Sequence, residues 1–152
     1  MRYPLGLGVL LLAAVCVAGA SAALAAGGSD ATIKALEVRT SVDQVDVGPA
    51  GLSPGDEFIL GGRLRNLADT TTIGRARDVC TVLATGGSNL PLHCVTVVSL
   101  SGGTLELAGF ASGGPFFRLA ITGGTGAYDT AHGQLAAKPG PNNTTLLTFD
   151  ID

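Results

Sequence analysis

The sequence has no tryptophan and one methionine, and only 14% of its residues are charged. No run of basic residues is interleaved with aromatics, as it is in many proteins that bind nucleic acids. Beyond the amino-terminal segment, no apolar run approaches the roughly 20 residues of a membrane-spanning helix. We therefore expect neither a nucleic-acid partner nor a membrane-bound mature chain.

Several motifs of catalysis and metal binding are also missing. The sequence contains no C-x-x-C pair for a zinc site and no G-x-S-x-G nucleophile elbow. The segment Ile121–Gly126 looks like the start of a dinucleotide-binding loop, but Asp129 stands where the third glycine belongs. We interpret this segment as a glycine-built turn between strands. The sequence thus favours neither a hydrolase nor a dehydrogenase, and we expect no metal and no cofactor.

The amino-terminal segment has the layout of a secretory signal peptide. Arg2 supplies a positive charge, an apolar run of 13 residues covers Leu5–Val17, and small residues in A-x-A patterns follow. A membrane anchor is the alternative, but the run is too short to span a bilayer. We assign residues 1–25 to a signal peptide and 26–152 to one secreted, extracytoplasmic domain, whose net charge is −4.

Glycine-rich turns divide the remaining chain into short β-branched segments, and no apolar period of 3.6 residues persists over three turns. The pattern predicts an all-β domain, either a sandwich or an antiparallel barrel. The eight predicted strands are Ile33–Val42, Asp56–Arg65, Thr71–Leu83, Leu92–Leu100, Thr104–Leu107, Phe116–Ile121, Gly133–Ala137 and Thr144–Ile151.

Two cysteines remain in the mature chain, an even number that predicts a disulfide in an exported protein. Cys80 and Cys94 lie symmetrically about Gly87, so a hairpin that turns there places them opposite each other on one face. Cys80 then shares its face with small apolar residues and with Asp78. The other face of the second strand, which includes Val95, is also largely apolar. We therefore expect one face inside a barrel and the other against a partner subunit.

Asp78 is the strongest candidate for a chemical role, because a lone carboxylate among small inward-facing residues is costly to bury. In one interpretation it pairs with an arginine, for which Arg63, Arg75 and Arg118 are the candidates. In the other, its pKa is raised and it acts as an acid or a base. Pairing is the more ordinary outcome. Tyr128 follows a turn, where it could line the mouth of a cavity.

Three segments resemble the dirigent proteins. Ile73–Ala76 is similar to their hydrophobic-Gly-Arg-Ala signature, and Leu100–Leu105 with Gly109 resembles their next hairpin. Ile121–Tyr128, followed by Ala131–Gly133, is similar to their glycine-rich turn and its Ala-Arg-Gly ending, with His132 in place of the arginine. The resemblance extends from about residue 55 to residue 150.

Dirigent proteins and allene oxide cyclases share an eight-stranded antiparallel β-barrel that usually assembles as a trimer. Both guide a hydrophobic intermediate to one stereochemical outcome without a cofactor. The resemblance therefore implies a homotrimer that binds a hydrophobic small molecule and guides its stereoselective coupling or cyclisation. Asp78 would polarise the substrate, and Arg75, Tyr128 and His132 would shape or charge the pocket. The alternative is a non-catalytic exported barrel that binds a small molecule or serves as a scaffold.

The sequence departs from the allene oxide cyclases at two places. Their first strand carries a glutamate and an asparagine, and the nearest positions here, around Thr40 and Val42, offer neither. Cys80 falls where they have a functional cysteine, but here Cys94 is its predicted disulfide partner. We therefore expect the chain to share the fold of these families more closely than their reaction, and we do not expect allene oxide cyclase activity.

Overall fold

The computed structural model describes residues 30–152, so the predicted signal peptide lies outside the described residues. The strands are antiparallel to their neighbours, and the last one pairs with the first to close a barrel. This confirms the predicted eight-stranded antiparallel barrel and excludes the sandwich. The strands are β1 (Ala31–Val45), β2 (Glu57–Arg65), β3 (Thr72–Val82), β4 (Leu92–Leu100), β5 (Gly103–Ala111), β6 (Phe117–Gly126), β7 (Gly133–Pro139) and β8 (Thr145–Ile151).

β4 shows how the sequence specifies the wall of the barrel. Leu92, Cys94, Thr96 and Val98 are buried, and the residues between them are exposed. This alternation has the period of two that an extended strand imposes on its side chains. The inner face therefore contains small and apolar residues, as predicted. No helix in residues 30–152 is long and apolar enough to cross a membrane.

Four strands extend beyond their predicted ends, and these are β1 to Val45, β5 to Ala111, β6 to Gly126 and β7 to Pro139. The predicted glycine-built turn within Ile121–Gly126 is therefore wrong, since residues 123–126 pair with β5. A Cβ atom at Gly124 would collide with the carbonyl oxygens of Thr104 and Tyr128. Glycine here allows close backbone approach within the sheet.

The two ends of the barrel are packed differently. We call the end where β2, β4, β6 and β8 finish the closed end, and the opposite one the open end. Phe149, Leu64 and Leu105 are completely buried toward the closed end, where they fill the interior. The remaining interior space lies between this core and the open end, and it is lined by other residues.

The loop that joins β1 to β2 at the open end is held by one buried carboxylate. Asp56 accepts hydrogen bonds from the backbone N–H groups of Val47, at 3.0 Å, and Ser53, at 2.8 Å. The Ser53 hydroxyl donates a further hydrogen bond. These hydrogen bonds lower the pKa of the Asp56 carboxyl because they stabilise its charged form, and the bond from Val47 has the largest effect.

The predicted disulfide is present between neighbouring strands. Cys80 and Cys94 are direct partners in the β3–β4 register, with a Cα–Cα distance of 4.0 Å. Both cysteines are buried and face the interior of the barrel. The bridge therefore fixes the register of the hairpin from within.

We expect that replacing both cysteines by serine will lower the free energy of unfolding by about 3 kcal/mol, because the bridge closes a loop across a separation of 14 residues. Denaturant unfolding measures this difference. A reductant is expected to destabilise the wild-type protein and to leave the Cys80→Ser/Cys94→Ser variant unchanged. Equal stability of the oxidised wild-type protein and the variant would contradict the assigned role of the bridge.

Candidate functional site

The barrel contains a cavity of about 240 Å³ between the closed-end core and the open end. Typical ligand pockets measure about 300–1,000 Å³, so the space suits a compact ligand. The wall is mostly apolar and includes the Cys80–Cys94 disulfide. Further apolar lining comes from Leu92, Ala111, Phe117, Leu119 and Leu147.

The entrance to the cavity lies beside the loop that joins β5 to β6. Gly113 and Gly114 in this loop are exposed to solvent and also line the cavity. Phe117 follows them at the start of β6, and Ala111 precedes them at the end of β5. A ligand can therefore reach the cavity from the open end without passing the closed-end core.

A small polar cluster forms one part of the cavity wall. Nη1 of Arg39 lies 3.0 Å from Oδ2 of Asp78 and 3.3 Å from Oε1 of Glu37. The Thr96 hydroxyl donates a hydrogen bond of 2.7 Å to Oδ1 of Asp78. One guanidinium thus contacts two carboxyl groups, and both oxygens of Asp78 accept hydrogen bonds.

The sheet register explains why these residues meet. Asp78 and Thr96 are direct partners across β3 and β4. Arg39 pairs with Gly62 on β2, and the β1–β2 register shifts immediately after Arg39. A Cβ atom at Gly62 would collide with the carboxyl group of Glu37, so only glycine leaves room for that side chain. The absence of a side chain at Gly62 therefore makes the cluster possible.

Burial raises the pKa of the Glu37 carboxyl above its ordinary value, because the charged form is poorly solvated. The charge of Arg39 opposes this effect, and the charge of Asp78 adds to it. Only 5% of the Glu37 side chain is exposed. Its Oε1 has no well-aligned hydrogen-bond partner within residues 30–152, although Arg39 is near. Burial thus favours the protonated form of Glu37 relative to that of an exposed glutamate.

The structure places Asp78 in the cavity but gives it a different partner from those predicted. The partner is Arg39, whereas Arg63 and Arg75 lie exposed on the outer face of the barrel. Arg118 instead donates a hydrogen bond to Gln134. The prediction failed because Arg39 reaches Asp78 across the intervening strand β2, at a register that the sequence does not reveal.

The other predicted site residues are not brought together with Asp78. Arg75 faces the solvent outside the barrel. Tyr128 and His132 belong to the loop between β6 and β7, at the closed end. Tyr128 packs against the core and His132 is exposed, with Nδ1 at 3.2 Å from the carbonyl oxygen of Thr130. Of the four, only Asp78 lines the cavity.

Sequence reasoning missed Glu37 and Arg39. It searched for a carboxyl on the first strand around Thr40 and Val42, whereas the structure provides one at Glu37. A usable signal was present, because Glu37 and Arg39 alternate with the same period as the buried Ala35. The inward-facing Asp78 also required a cation. Residues 30–152 contain no group of three or more His, Cys, Asp or Glu side chains that could hold a metal ion.

No protein-family model matches the sequence, and no curated protein matches it either. Among solved structures, a pyocyanin demethylase is similar with a TM-score of 0.72 and 22% identity, over 80% of this chain and 100% of that one. The exo-specific intermolecular Diels-Alderase AbnU is also similar, with a TM-score of 0.63 and 15% identity, over 82% of this chain and 98% of that one.

The pterocarpan synthase dirigent protein GePTS1 is also similar, with a TM-score of 0.61 and 19% identity, over 81% of this chain and 83% of that one. These identities are low, and the likeness therefore concerns the fold. The chain has the barrel fold that dirigent proteins share with Diels-Alderase barrels.

Proposed function

We propose that this protein is a secreted barrel that binds a hydrophobic small molecule and guides its stereoselective coupling or cyclisation. The observation that carries the proposal is an apolar cavity whose wall holds Glu37, Arg39 and Asp78. Two structural neighbours, a Diels-Alderase and a pterocarpan synthase dirigent protein, support this class of reaction. The buried disulfide is in keeping with an exported protein.

The apolar wall would act mainly on the conformation of the substrate. A flexible hydrophobic molecule loses contact with water on entering the cavity and gains contact with side chains such as Leu119 and Leu147. Confinement in one reactive conformer removes much of the entropic part of a cyclisation barrier. Because the wall is chiral and closely packed, the same confinement selects one face of the reacting group.

The polar cluster would act on a substrate oxygen, such as that of a carbonyl group. A protonated Glu37 donates a hydrogen bond to this oxygen, and Arg39 stabilises the negative charge that develops on it. Asp78 and Thr96 hold the guanidinium in place through the contacts described above. The substrate would thus be a compact hydrophobic molecule with one hydrogen-bond acceptor. Asp78 is a positioning residue in this arrangement.

A non-catalytic ligand carrier is the second candidate function, because the same cavity could bind a compound without changing it. The polar cluster distinguishes the two. Glu37→Gln retains shape and polarity but removes the ionisable proton. A cyclase loses turnover with this change and keeps binding, whereas a carrier has no turnover to lose.

The cavity itself is tested by ligand capture. We expect protein isolated from its natural medium to release a hydrophobic compound on denaturation, detected by mass spectrometry. Ala111→Leu should abolish the capture because it adds three carbon atoms at the cavity mouth. Ala120→Leu is the matched control, since Ala120 is exposed on β6. Capture of the same compound by all three proteins would place it outside the cavity.

The assigned electrostatics can be tested by titrating the Glu37 carboxyl with carbon-13 NMR. We expect its pKa to fall in Asp78→Asn, because this change removes a neighbouring negative charge. We expect the pKa to rise in Arg39→Gln, which removes the opposing positive charge. Shifts of the same sign in both variants would contradict the arrangement.

The proposed homotrimer is supported by an apolar row on the outer face. Ile59, Val79 and Val95 are direct neighbours across β2, β3 and β4, and each is at least 40% exposed. We expect light scattering to give about three times the monomer mass and Val79→Lys to reduce it. Thr122→Lys, at an exposed position on β6, is the control. A wild-type monomer would contradict the proposal.

A further inference from the structure

A second concave site lies on the outside of the barrel, across β1, β2 and β3. It is a groove of about 480 Å³. Three arginines and two threonines line it together with one glycine, and these are Thr40, Gly62, Arg63, Thr72, Arg75 and Arg77. The arginines are exposed and separate from the cavity, which Arg39 lines from the inside. We call this feature the arginine groove.

The positive charge of the arginine groove is not neutralised within the described part of the chain. The ion pairs formed by residues 30–152 use Arg39 and Arg65, and none includes an arginine of the groove. The Arg77 guanidinium donates a hydrogen bond to the carbonyl oxygen of Ala76 instead. This local excess of charge contrasts with the net charge of −3 of the whole chain.

The register forces like charges together in the groove. Arg63 and Arg75 are direct cross-strand partners on β2 and β3, an arrangement that destabilises a sheet when both residues carry the same charge. Arg77 lies two residues further along β3, and its Nη1 occupies the space above Gly61. Because glycine has no side chain, the Arg77 guanidinium can lie against the backbone of the sheet at this position.

We propose that the arginine groove binds a phosphate or sulfate group. Guanidinium groups bind such oxyanions with paired, charge-assisted hydrogen bonds. A carboxylate would need one arginine, whereas a doubly charged tetrahedral anion has enough oxygens for several guanidinium and hydroxyl donors. Thr40 and Thr72 supply hydroxyl groups at the edge of the same groove. This site is independent of the cavity, and it stands whether or not the protein is a cyclase.

Isothermal titration calorimetry with sodium sulfate and inorganic phosphate tests the proposal, against chloride at equal ionic strength. We expect saturable binding of both anions to the full-length protein. Arg75→Gln should weaken the binding about tenfold or more, the effect of losing one charge-assisted hydrogen bond. Phosphate should bind more tightly as pH rises through its second ionisation, and sulfate should not, since arginine stays charged throughout.

Arg118→Gln is the matched control, because it makes the same charge change on the outer face of β6. We expect it to leave anion binding unchanged. In chloride, Arg75→Gln should melt at the wild-type temperature or above it, since it removes a like-charge pair. This separates loss of the site from loss of the fold.

Two outcomes would overturn the proposal. In the first, the protein binds sulfate and phosphate no more tightly than it binds chloride. This result counts against the site whether or not Arg75→Gln alters the oligomeric state. The other is equal weakening by Arg75→Gln and Arg118→Gln, which would indicate a general charge effect. Methyl phosphate distinguishes the sources: tight binding supports a phosphate ester on a larger molecule, and binding of the inorganic ions alone supports a free anion.

Discussion

Closure of the sheet is the constraint on which the rest of this structure depends. β1 and β8 pair from Ala31 with Ile151 to Glu37 with Thr145, so the barrel has no free edge. Every strand then has one inner face without access to bulk water except through an end. A charge on this face must find its partner inside the barrel. Arg39 meets that requirement for both Glu37 and Asp78.

The parts of the fold that the sequence predicted are those set by local spacing. Cys80 and Cys94 are symmetric about one turn, and a hairpin has few ways to align such residues. The Arg39–Asp78 contact instead joins β1 to β3 across β2, next to a register shift in β1. Neither this register shift nor the order of the neighbouring strands produces a periodic pattern that can be recognised in the sequence. The cluster therefore required the three-dimensional register, although Asp78, one of its two acidic members, was identified from the sequence.

The arginines show how one sequence pattern can give two kinds of site. Arg39 faces inward, where two carboxyl groups fix its position. Arg63 and Arg75 face outward as direct cross-strand partners, and neither forms an ion pair with another group of residues 30–152. Their charge made Arg63 and Arg75 candidate partners of Asp78, although the period of two already places Arg75 on the face opposite to Asp78. Strand face, which alternates residue by residue, assigns them to the opposite side of the wall.

The disulfide has a consequence for how the cavity is made. Cys80 and Cys94 are part of its wall, where the bridge joins β3 to β4. Each side chain of the wall contributes to the shape of the cavity, and these two are tied to each other by a covalent bond. Reduction removes this bond and frees the two side chains to adopt separate positions. The contour of the cavity thus depends on the oxidation state of the chain as well as on its sequence.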